Sequence, residues 1–145
     1  MRIAGSILLL LAAAPAFGGL GGPATSVATE QPGMMVVRRA VPARSYTVQE
    51  VKTQDGTVVR EYVSAEGKVF GVAWNGAIMP DLQQLFGDYF TIFQSETQSR
   101  GQARGTLRID RPDLVVQSGG HMRAYSGRAY VPKLLPAGVT AAEIK

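Results

Sequence analysis

The chain has 145 residues, with 15 Lys and Arg against 11 Asp and Glu, so that its formal net charge is +4. It has no cysteine, which excludes disulfides, thiol catalysis, thiolate zinc sites, iron–sulfur clusters and a lipid anchor attached through a cysteine. The basic residues are scattered instead of forming a dense stripe with interleaved aromatic residues, and we therefore expect no nucleic-acid partner. The glycine-rich segments lack phosphate-loop spacing, and we expect no cofactor.

The first 18 residues have the order of a secretory signal peptide. Arg2 supplies a positive start, residues 3–14 are apolar or small apart from Ser6, and small residues follow at Ala16 and Gly18. The apolar run is shorter than the ~20 residues that a transmembrane helix needs. We therefore expect an exported protein, periplasmic or secreted, that is cleaved after Ala16 or Gly18 and has no transmembrane anchor.

Residues 19–44 are predicted to form a leader that is extended or partly disordered, because the segment starts with several glycines and contains three prolines. Its apolar residues 34–37 suit a short strand or docking on the domain. A folded domain is expected at residues 45–133, and an irregular C-terminal tail at residues 134–145.

The domain is predicted to begin with three β-strands, at residues 46–52, 57–64 and 68–74. An Asp-Gly pair and a Glu-Gly pair separate them, and Asp-Gly between two runs of β-forming residues is a strong hairpin signal. This pattern indicates an antiparallel meander. Alternation along the third strand predicts a core face and a face of smaller residues that accepts close packing by a neighbouring element. The two sets are Phe70, Val72 and Trp74, and Val69, Gly71 and Ala73.

One amphipathic helix follows, because apolar residues recur at helical spacing. These residues are Leu82, Leu85, Phe86, Tyr89, Phe90 and Phe93. Asp81 is the predicted N-cap, and Gly87 lies inside the helix at a cost of roughly 1 kcal/mol relative to alanine. The polar residues 94–105 are predicted to be a frayed helix end and a loop.

The rest of the chain returns to strands, at residues 106–110, 114–117 and 121–130. Residues 118–120 are predicted to connect the last two tightly. Strands, one helix and strands again indicate an α+β domain, with the helix on one face of an antiparallel sheet.

Several segments of the chain resemble an uncharacterised family of exported proteobacterial proteins, the domain of unknown function 2844. They are GTVVREYVS at 56–64, VFGVAWNG at 69–76, PDLQQLFGDYF at 80–90 and VVQSGGHMRAYSGRAYVP at 115–132, together with LGG at 20–22. The resemblance implies a single domain in the cell envelope or outside the cell. It implies no activity, cofactor or site residue.

The candidate binding residues lie in the last predicted strand. Alternation would place His121, Arg123 and Tyr125 on one face, with Arg128 and Tyr130 beside them. The imidazole of His121 can form hydrogen bonds, Arg123 offers a planar guanidinium, and Tyr125 offers a flat amphipathic ring. Together these groups suit the binding of a carboxylate, a phosphate, a sugar or the edge of a protein. The same residues would also suit a solvated sheet face that binds nothing.

A catalytic role is the weaker interpretation of His121, the single histidine. General-base catalysis needs a nucleophile and usually an orienting carboxylate. The turn at residues 110–113 supplies acids, but no nucleophile motif such as G-x-S-x-G is present. A copper site at His121 and Met122 is also not expected, because alternation sends the two side chains to opposite faces. We assign no catalytic residue and no metal ligand.

These observations favour a non-catalytic domain of the envelope or the secreted fraction, whose partner is a protein or an anionic glycan. Two alternatives stay open. One is a small hydrolase-like enzyme that uses His121. The other is a structural subunit of an envelope assembly, in which residues 34–37 pair with the sheet edge of a neighbour.

Overall fold

A computed structural model describes residues 19–25, 35–41, 44–101 and 105–145. The predicted signal peptide, residues 1–18, lies outside the described residues. Seven strands are present in the described part. They are β1 (Met35–Ala40), β2 (Tyr46–Lys52), β3 (Val58–Ser64), β4 (Val69–Gly76), β5 (Leu107–Asp110), β6 (Val115–His121) and β7 (Ala124–Tyr130).

All seven strands form one antiparallel sheet in the order β1-β2-β3-β4-β7-β6-β5. Strands β2, β3 and β4 are the predicted meander. The chain then crosses one face of the sheet as a helix, enters the far edge as β5, and returns through β6 to place β7 beside β4. The predicted α+β class, a helix on one face of an antiparallel sheet, is confirmed.

The hairpin between β6 and β7 differs from the prediction. Gly119 and Gly120 lie within β6, and the turn is formed by Met122 and Arg123, with His121 opposite Ala124. Glycine pairs are strong turn signals locally. Here they stay in the strand because β6 continues its pairing with β7 along its whole length. Arg123 takes the left-handed turn conformation, with φ of 66°.

Strand β4 has an irregularity that changes its two faces. The register with β3 shifts between Tyr62 and Val63, and a bulge of this kind turns the side chains on either side of it to different faces. Val72 and Trp74 lie in the core under the helix, as predicted, but Phe70 lies in the core on the opposite face. The predicted set of large co-facial residues is therefore wrong for Phe70, and the predicted set of smaller residues is wrong for Val69, which lies in the core under the helix.

The helical segment is interrupted at Gly87. It consists of α1 (Leu82–Phe86), a 3-10 turn (Gly87–Tyr89) and α2 (Phe90–Arg100). Gly87 has φ of 54°, a conformation that glycine adopts without steric cost. The N-cap prediction is confirmed, because Oδ1 of Asp81 accepts hydrogen bonds from the backbone N–H groups of Gln83 and Gln84. The predicted frayed end is wrong as far as Arg100, because α2 continues to that residue. None of the described helices is long and apolar enough to cross a membrane.

Part of the predicted leader belongs to the fold. Leu20 is 3% exposed and packs in the core under the helix. The backbone N–H of Leu20 donates to the carbonyl of Leu85 at 3.0 Å, and Val69 exchanges hydrogen bonds with Gly21 and Gly22. Residues 19–25 therefore connect the helix to the sheet. Strand β1 supplies the short strand suggested for residues 34–37, beginning one residue later.

The C-terminal segment packs on part of the face opposite the helix. Two 3-10 turns, Pro132–Leu134 and Ala141–Glu143, lie along it, and Val139 and Ile144 are buried against Tyr62 and Phe70. A Cβ at Gly71 would lie 2.6 Å from Cδ1 of Ile144, so the small-residue face of β4 does accept close packing. Residues 134–145, the predicted tail, are irregular. Together with Tyr62 and Phe70 they form a second hydrophobic core, on the face opposite the helix.

Candidate functional site

The five predicted binding residues do not form one surface. His121 and Arg123 are exposed at the β6–β7 hairpin, on either side of Met122, which is 87% exposed. Residues that lie directly opposite in an antiparallel pair share a face, so His121 shares the face of Ala124. Tyr125 lies opposite Gly120 and faces the other way.

The position of the β6–β7 turn explains why His121 and Tyr125 face opposite ways. A continuous strand from residue 121 would have put His121 and Tyr125 on one face, but the chain reverses between them. Tyr125 shares its face with Ala129, which is buried in the core under the helix. His121 instead shares its face with Arg128 and Tyr130. The prediction that His121, Arg123 and Tyr125 share one face of the sheet is therefore wrong. A binding role for each residue stays a prediction.

Arg128 and Tyr130 contact the C-terminal segment. Nη1 of Arg128 donates to the carbonyls of Ala141 and Ile144 at 3.0 and 3.1 Å, and its Nε donates to Oε1 of Gln117 at 3.0 Å. Tyr130 packs against the second core beneath the same segment. Both residues therefore have a structural role, and Arg128 keeps its two Nη2 hydrogens without a partner in the part of the chain that the structure describes.

A groove of about 710 Å³ lies on the sheet face that the C-terminal segment leaves uncovered. It crosses four adjacent strands, β3, β4, β7 and β6. Its walls and floor include Arg60, Ala73, Asn75, Gln117, Ser126 and Arg128, and the side of the groove is completed by Lys145. Ala73, which lies between the two arginines in the register, is 3% exposed and belongs to the second core with Val139 and Ile144.

The register places the two arginines on one row across the sheet. Arg60 lies opposite Ala73 in the β3–β4 pair, and Ala73 lies opposite Arg128 in the β4–β7 pair. Gln117 continues the row on β6. Because neighbouring strands are about 4.8 Å apart, the two arginine Cα atoms are separated by about 10 Å.

Each arginine is held through its Nε atom. Nε of Arg60 donates to Oε2 of Glu50 at 3.1 Å, as Nε of Arg128 does to Gln117. The Nη atoms of Arg60 have no partner among the described residues, and its side chain is 38% exposed. A guanidinium that is oriented at one end and open at the other is suited to bind carboxylate, sulfate or phosphate.

Three basic side chains line the groove, those of Arg60, Arg128 and Lys145. The carboxylate of Glu50 lies beside Arg60. Asn75, Gln117 and Ser126 add neutral hydrogen-bonding groups. The groove therefore favours an anion that also carries hydroxyl or amide groups.

Sequence analysis missed Arg60, Asn75 and Gln117. The meander register could have placed Arg60 opposite Ala73, since the turn between β3 and β4 is short and recognisable. No local signal places β7 beside β4, and without that adjacency neither Arg128 nor Gln117 comes near Arg60.

The acids proposed as partners of His121 lie at the other end of β6. Asp110 is opposite Val115, and His121 is six residues further along the strand, which is about 20 Å. Arg111 binds Asp113 at 2.9 Å and Glu96 at 2.7 Å. The hydrogen bond from Arg111 lowers the pKa of Asp113 below its ordinary value. These contacts connect α2 to the β5–β6 turn.

The described residues also do not form a cluster of potential metal ligands. Within residues 19–25, 35–41, 44–101 and 105–145, no group of three or more His, Asp or Glu side chains is placed to hold an ion. The groove lined by Arg60 and Arg128 is thus cationic, and His121 is separated from Asp110 by the length of β6.

Comparison with known proteins gives a family without a known activity. No curated protein and no solved structure matches the chain. One family model does match, over residues 16–144. Because this match covers most of the chain, the protein belongs to the family described as "Protein of unknown function (DUF2844)".

Proposed function

We propose that this protein is a non-catalytic binding domain that holds an anionic ligand in the groove on the uncovered sheet face. The observation that carries the proposal is the row formed by Arg60 and Arg128, each oriented through Nε. Among the described residues, both Nη atoms of Arg60 and Nη2 of Arg128 have no hydrogen-bond partner. An acidic glycan fits this site better than a small anion, because hydroxyl and amide side chains line the groove beside the cations.

Export to the periplasm or the medium is part of the proposal. It is supported by the order of charge, apolar run and small residues in residues 1–18. The test is the N-terminal mass of the protein recovered after expression with its own leader. A chain that begins at Phe17 or Gly19 supports export, and a chain that keeps residues 1–16 in the cytoplasmic fraction contradicts it.

Binding is tested with polygalacturonate, a polymer of uronic acids, by calorimetry at physiological salt. The double variant Arg60→Gln/Lys145→Gln removes two positive charges from the groove. We expect it to bind at least tenfold more weakly than the unmodified protein, which corresponds to about 1.4 kcal/mol.

The matched control is Lys68→Gln/Lys133→Gln, which removes two charges at the other end of the sheet, beside the β3–β4 turn and after β7. We expect it to bind polygalacturonate almost as tightly as the unmodified protein. Equal weakening in both double variants would mean general attraction to a basic protein, and it would contradict a specific groove.

A variant that fills the groove without changing its charge tests whether the ligand binds inside the groove. Ser126 is exposed and lines the groove, so Ser126→Phe fills it without changing any charge. Phenylalanine is favourable in a strand, and the fold is expected to persist. Loss of polygalacturonate binding supports the groove as the site, whereas unchanged binding places the ligand elsewhere.

The position of β1 favours a second candidate function, the structural subunit. Strand β1 is an edge of the sheet, and its side chains Met35 and Val37 are 63% and 48% exposed. Exposed apolar side chains on an edge strand can pack against another chain, and a charge placed among them weakens that packing. If the protein assembles through β1, Val37→Lys will reduce the mass measured by light scattering to that of a monomer. A mass that Val37→Lys leaves unchanged argues against this function.

A further inference from the structure

The two edges of the sheet differ in how they are protected. Strands β1 and β5 are the edge strands. The N–H of Arg111 donates to the carbonyl of Leu114, and hydrogen-bonded pairs alternate along an antiparallel ladder, so the backbone groups of Arg108 point away from β6. The carbonyl of Arg108 accepts a hydrogen bond from Nη1 of Arg100 at 2.6 Å. A side chain of the same domain therefore occupies part of the outer edge of β5.

Strand β1 has a longer outer edge, and in the described part of the chain no strand pairs with it. The N–H of Thr53 donates to the carbonyl of Thr57 at 2.9 Å, so alternate residues of β2 bond with β3, and the residues between them bond with β1. The register with β2 then turns the backbone N–H and C=O groups of Val36, Arg38 and Ala40 outward. Groups of this kind form a template on which another strand can pair.

From these edges we infer that β1 pairs antiparallel with β1 of a second copy of this chain, across a twofold axis at Val37. The inference deepens the second candidate function and rests on it, since it names the partner and the register of the same edge. An axis at Val37 places Val36 opposite Arg38 of the second copy, and the backbone groups of both residues point outward. It also brings together the two Val37 side chains, each 48% exposed, and apolar neighbours across a strand pair stabilise it.

The positive charges of β1 favour this register over its neighbours. An axis at Arg38 would also match the outward groups, but it would place Arg38 opposite Arg38 of the second copy, and like charges directly opposite each other are destabilising. An axis at Val36 would pair only three residues of each β1 strand. The axis at Val37 pairs five residues of each strand and places Arg39 opposite Met35.

Pairing of this kind closes after two copies. The contact uses the same edge of both copies, so neither β1 edge stays free for a third. The edges that remain are the two β5 strands, where Arg100 binds the outward carbonyl of Arg108. A twofold axis perpendicular to the sheet also places the two uncovered faces, each with its groove, on the same side of the dimer.

The test is disulfide cross-linking of the full protein. Because the chain has no cysteine, each introduced thiol reports only its own neighbours. The backbone groups of Val37 bond with β2, so the two Val37 residues form a non-hydrogen-bonded pair, with Cα atoms about 4.5 Å apart. This separation is within the range of a disulfide. We expect Val37→Cys to form a covalent dimer under mild oxidation.

Met35→Cys is the matched control, since Met35 is on the same face of β1 and is more exposed than Val37. An axis at Val37 separates the two copies of residue 35 by about 14 Å along the strand, which is beyond the reach of a disulfide. We expect Val37→Cys to cross-link at least about tenfold faster than Met35→Cys, because its two thiols are held at a high effective concentration. The double variant Met35→Cys/Arg39→Cys should cross-link rapidly again, because residue 35 lies opposite residue 39 of the second copy.

The outcomes separate this inference from the second candidate function. Cross-linking of Met35→Cys as fast as that of Val37→Cys would overturn the register, and a light-scattering mass above that of a dimer would overturn the closure. A dimer that Val37→Lys dissociates but Val37→Cys does not cross-link would also overturn the inference. Assembly through β1 would stand in all three cases. A monomeric mass for the unmodified protein, with no cross-linked Val37→Cys, would show that the second candidate function itself is wrong.

Discussion

Arg128 offers the sharpest test of the structure, because sequence analysis predicted it to bind a ligand and the structure uses it to hold the C-terminal segment. We expect Arg128→Met to destabilise the protein. Methionine keeps an unbranched apolar stem but removes the hydrogen bonds to Gln117, Ala141 and Ile144. The fold should persist, with the C-terminal segment held less firmly.

The magnitude follows from the two bonds to carbonyl groups. A hydrogen bond to a charged group contributes roughly 1.5–3 kcal/mol. The carbonyl of Ala141 also accepts a hydrogen bond from the backbone N–H of Ile144 and keeps that partner, so the loss will be smaller than the sum. We expect the free energy of unfolding to fall by about 2 kcal/mol. With a urea m-value of about 1.5 kcal/mol/M, the midpoint falls by about 1.3 M.

Urea unfolding followed by tryptophan fluorescence measures this midpoint, since the chain has one tryptophan. Hydrogen exchange adds a local readout, because the amides of Glu143, Ile144 and Lys145 are hydrogen-bonded in the C-terminal segment and should exchange faster in the variant. Faster exchange confined to this segment would identify Arg128 as its anchor.

Arg108→Met is the matched control. Arg108 lies on the same row, opposite Gln117, but it is exposed and its side chain makes one ion pair with Asp110 at 3.6 Å. Its replacement should change the stability by no more than about 0.5 kcal/mol. Equal midpoints for the two variants would refute the assignment of Arg128 as an anchor of the C-terminal segment.

Three further predictions follow from the packing and the charges. A Cβ at Gly127 would lie 2.3 Å from the Trp74 ring, so Gly127→Ala should lower the free energy of unfolding by about 1–3 kcal/mol in urea titrations; unchanged stability would contradict this close packing. Leu20→Ala should cost about 2–5 kcal/mol in the same assay, and a smaller loss would show that residues 19–25 are not part of the cooperative fold. Arg111→Gln should raise the pKa of Asp113 toward its ordinary value, as measured by NMR titration of the carboxyl group. The folded-state pKa of Asp113 is lowered, so the contribution of this carboxylate to stability is present above its unfolded pKa and decreases as the pH falls. The free energy of unfolding of Arg111→Gln should therefore fall less with decreasing pH than that of the unmodified protein.

Local signals predicted the meander and the start of the helix. The turns of the meander and the cap at Asp81 depend on residues within four positions of one another, so a single sequence contains the information. The same reasoning failed at Gly119 and Gly120. Their turn propensity is real, but pairing along β6 keeps them in a strand and moves the turn to Met122 and Arg123.

The candidate site was predicted only in part, for the same reason. Arg128 was selected as a polar residue on an uncovered face, and it does line the groove. Its contacts with Ala141 and Ile144, and its row partner Arg60, could not be predicted, because they depend on how separate segments pack. The stripe of His121 and Tyr125 failed because one two-residue turn reverses the chain between them.

The sequence by itself determined the local chemistry of this protein: the absence of thiol chemistry, the hairpin turns, the capped helix and the α+β class. Only the tertiary structure decided which strands are neighbours. Arg60 and Arg128 are far apart along the chain, and they share a row because β4 pairs with β3 on one side and with β7 on the other. Cross-strand neighbours interact through space and leave no local pattern in the sequence, so the groove exists only in the folded sheet.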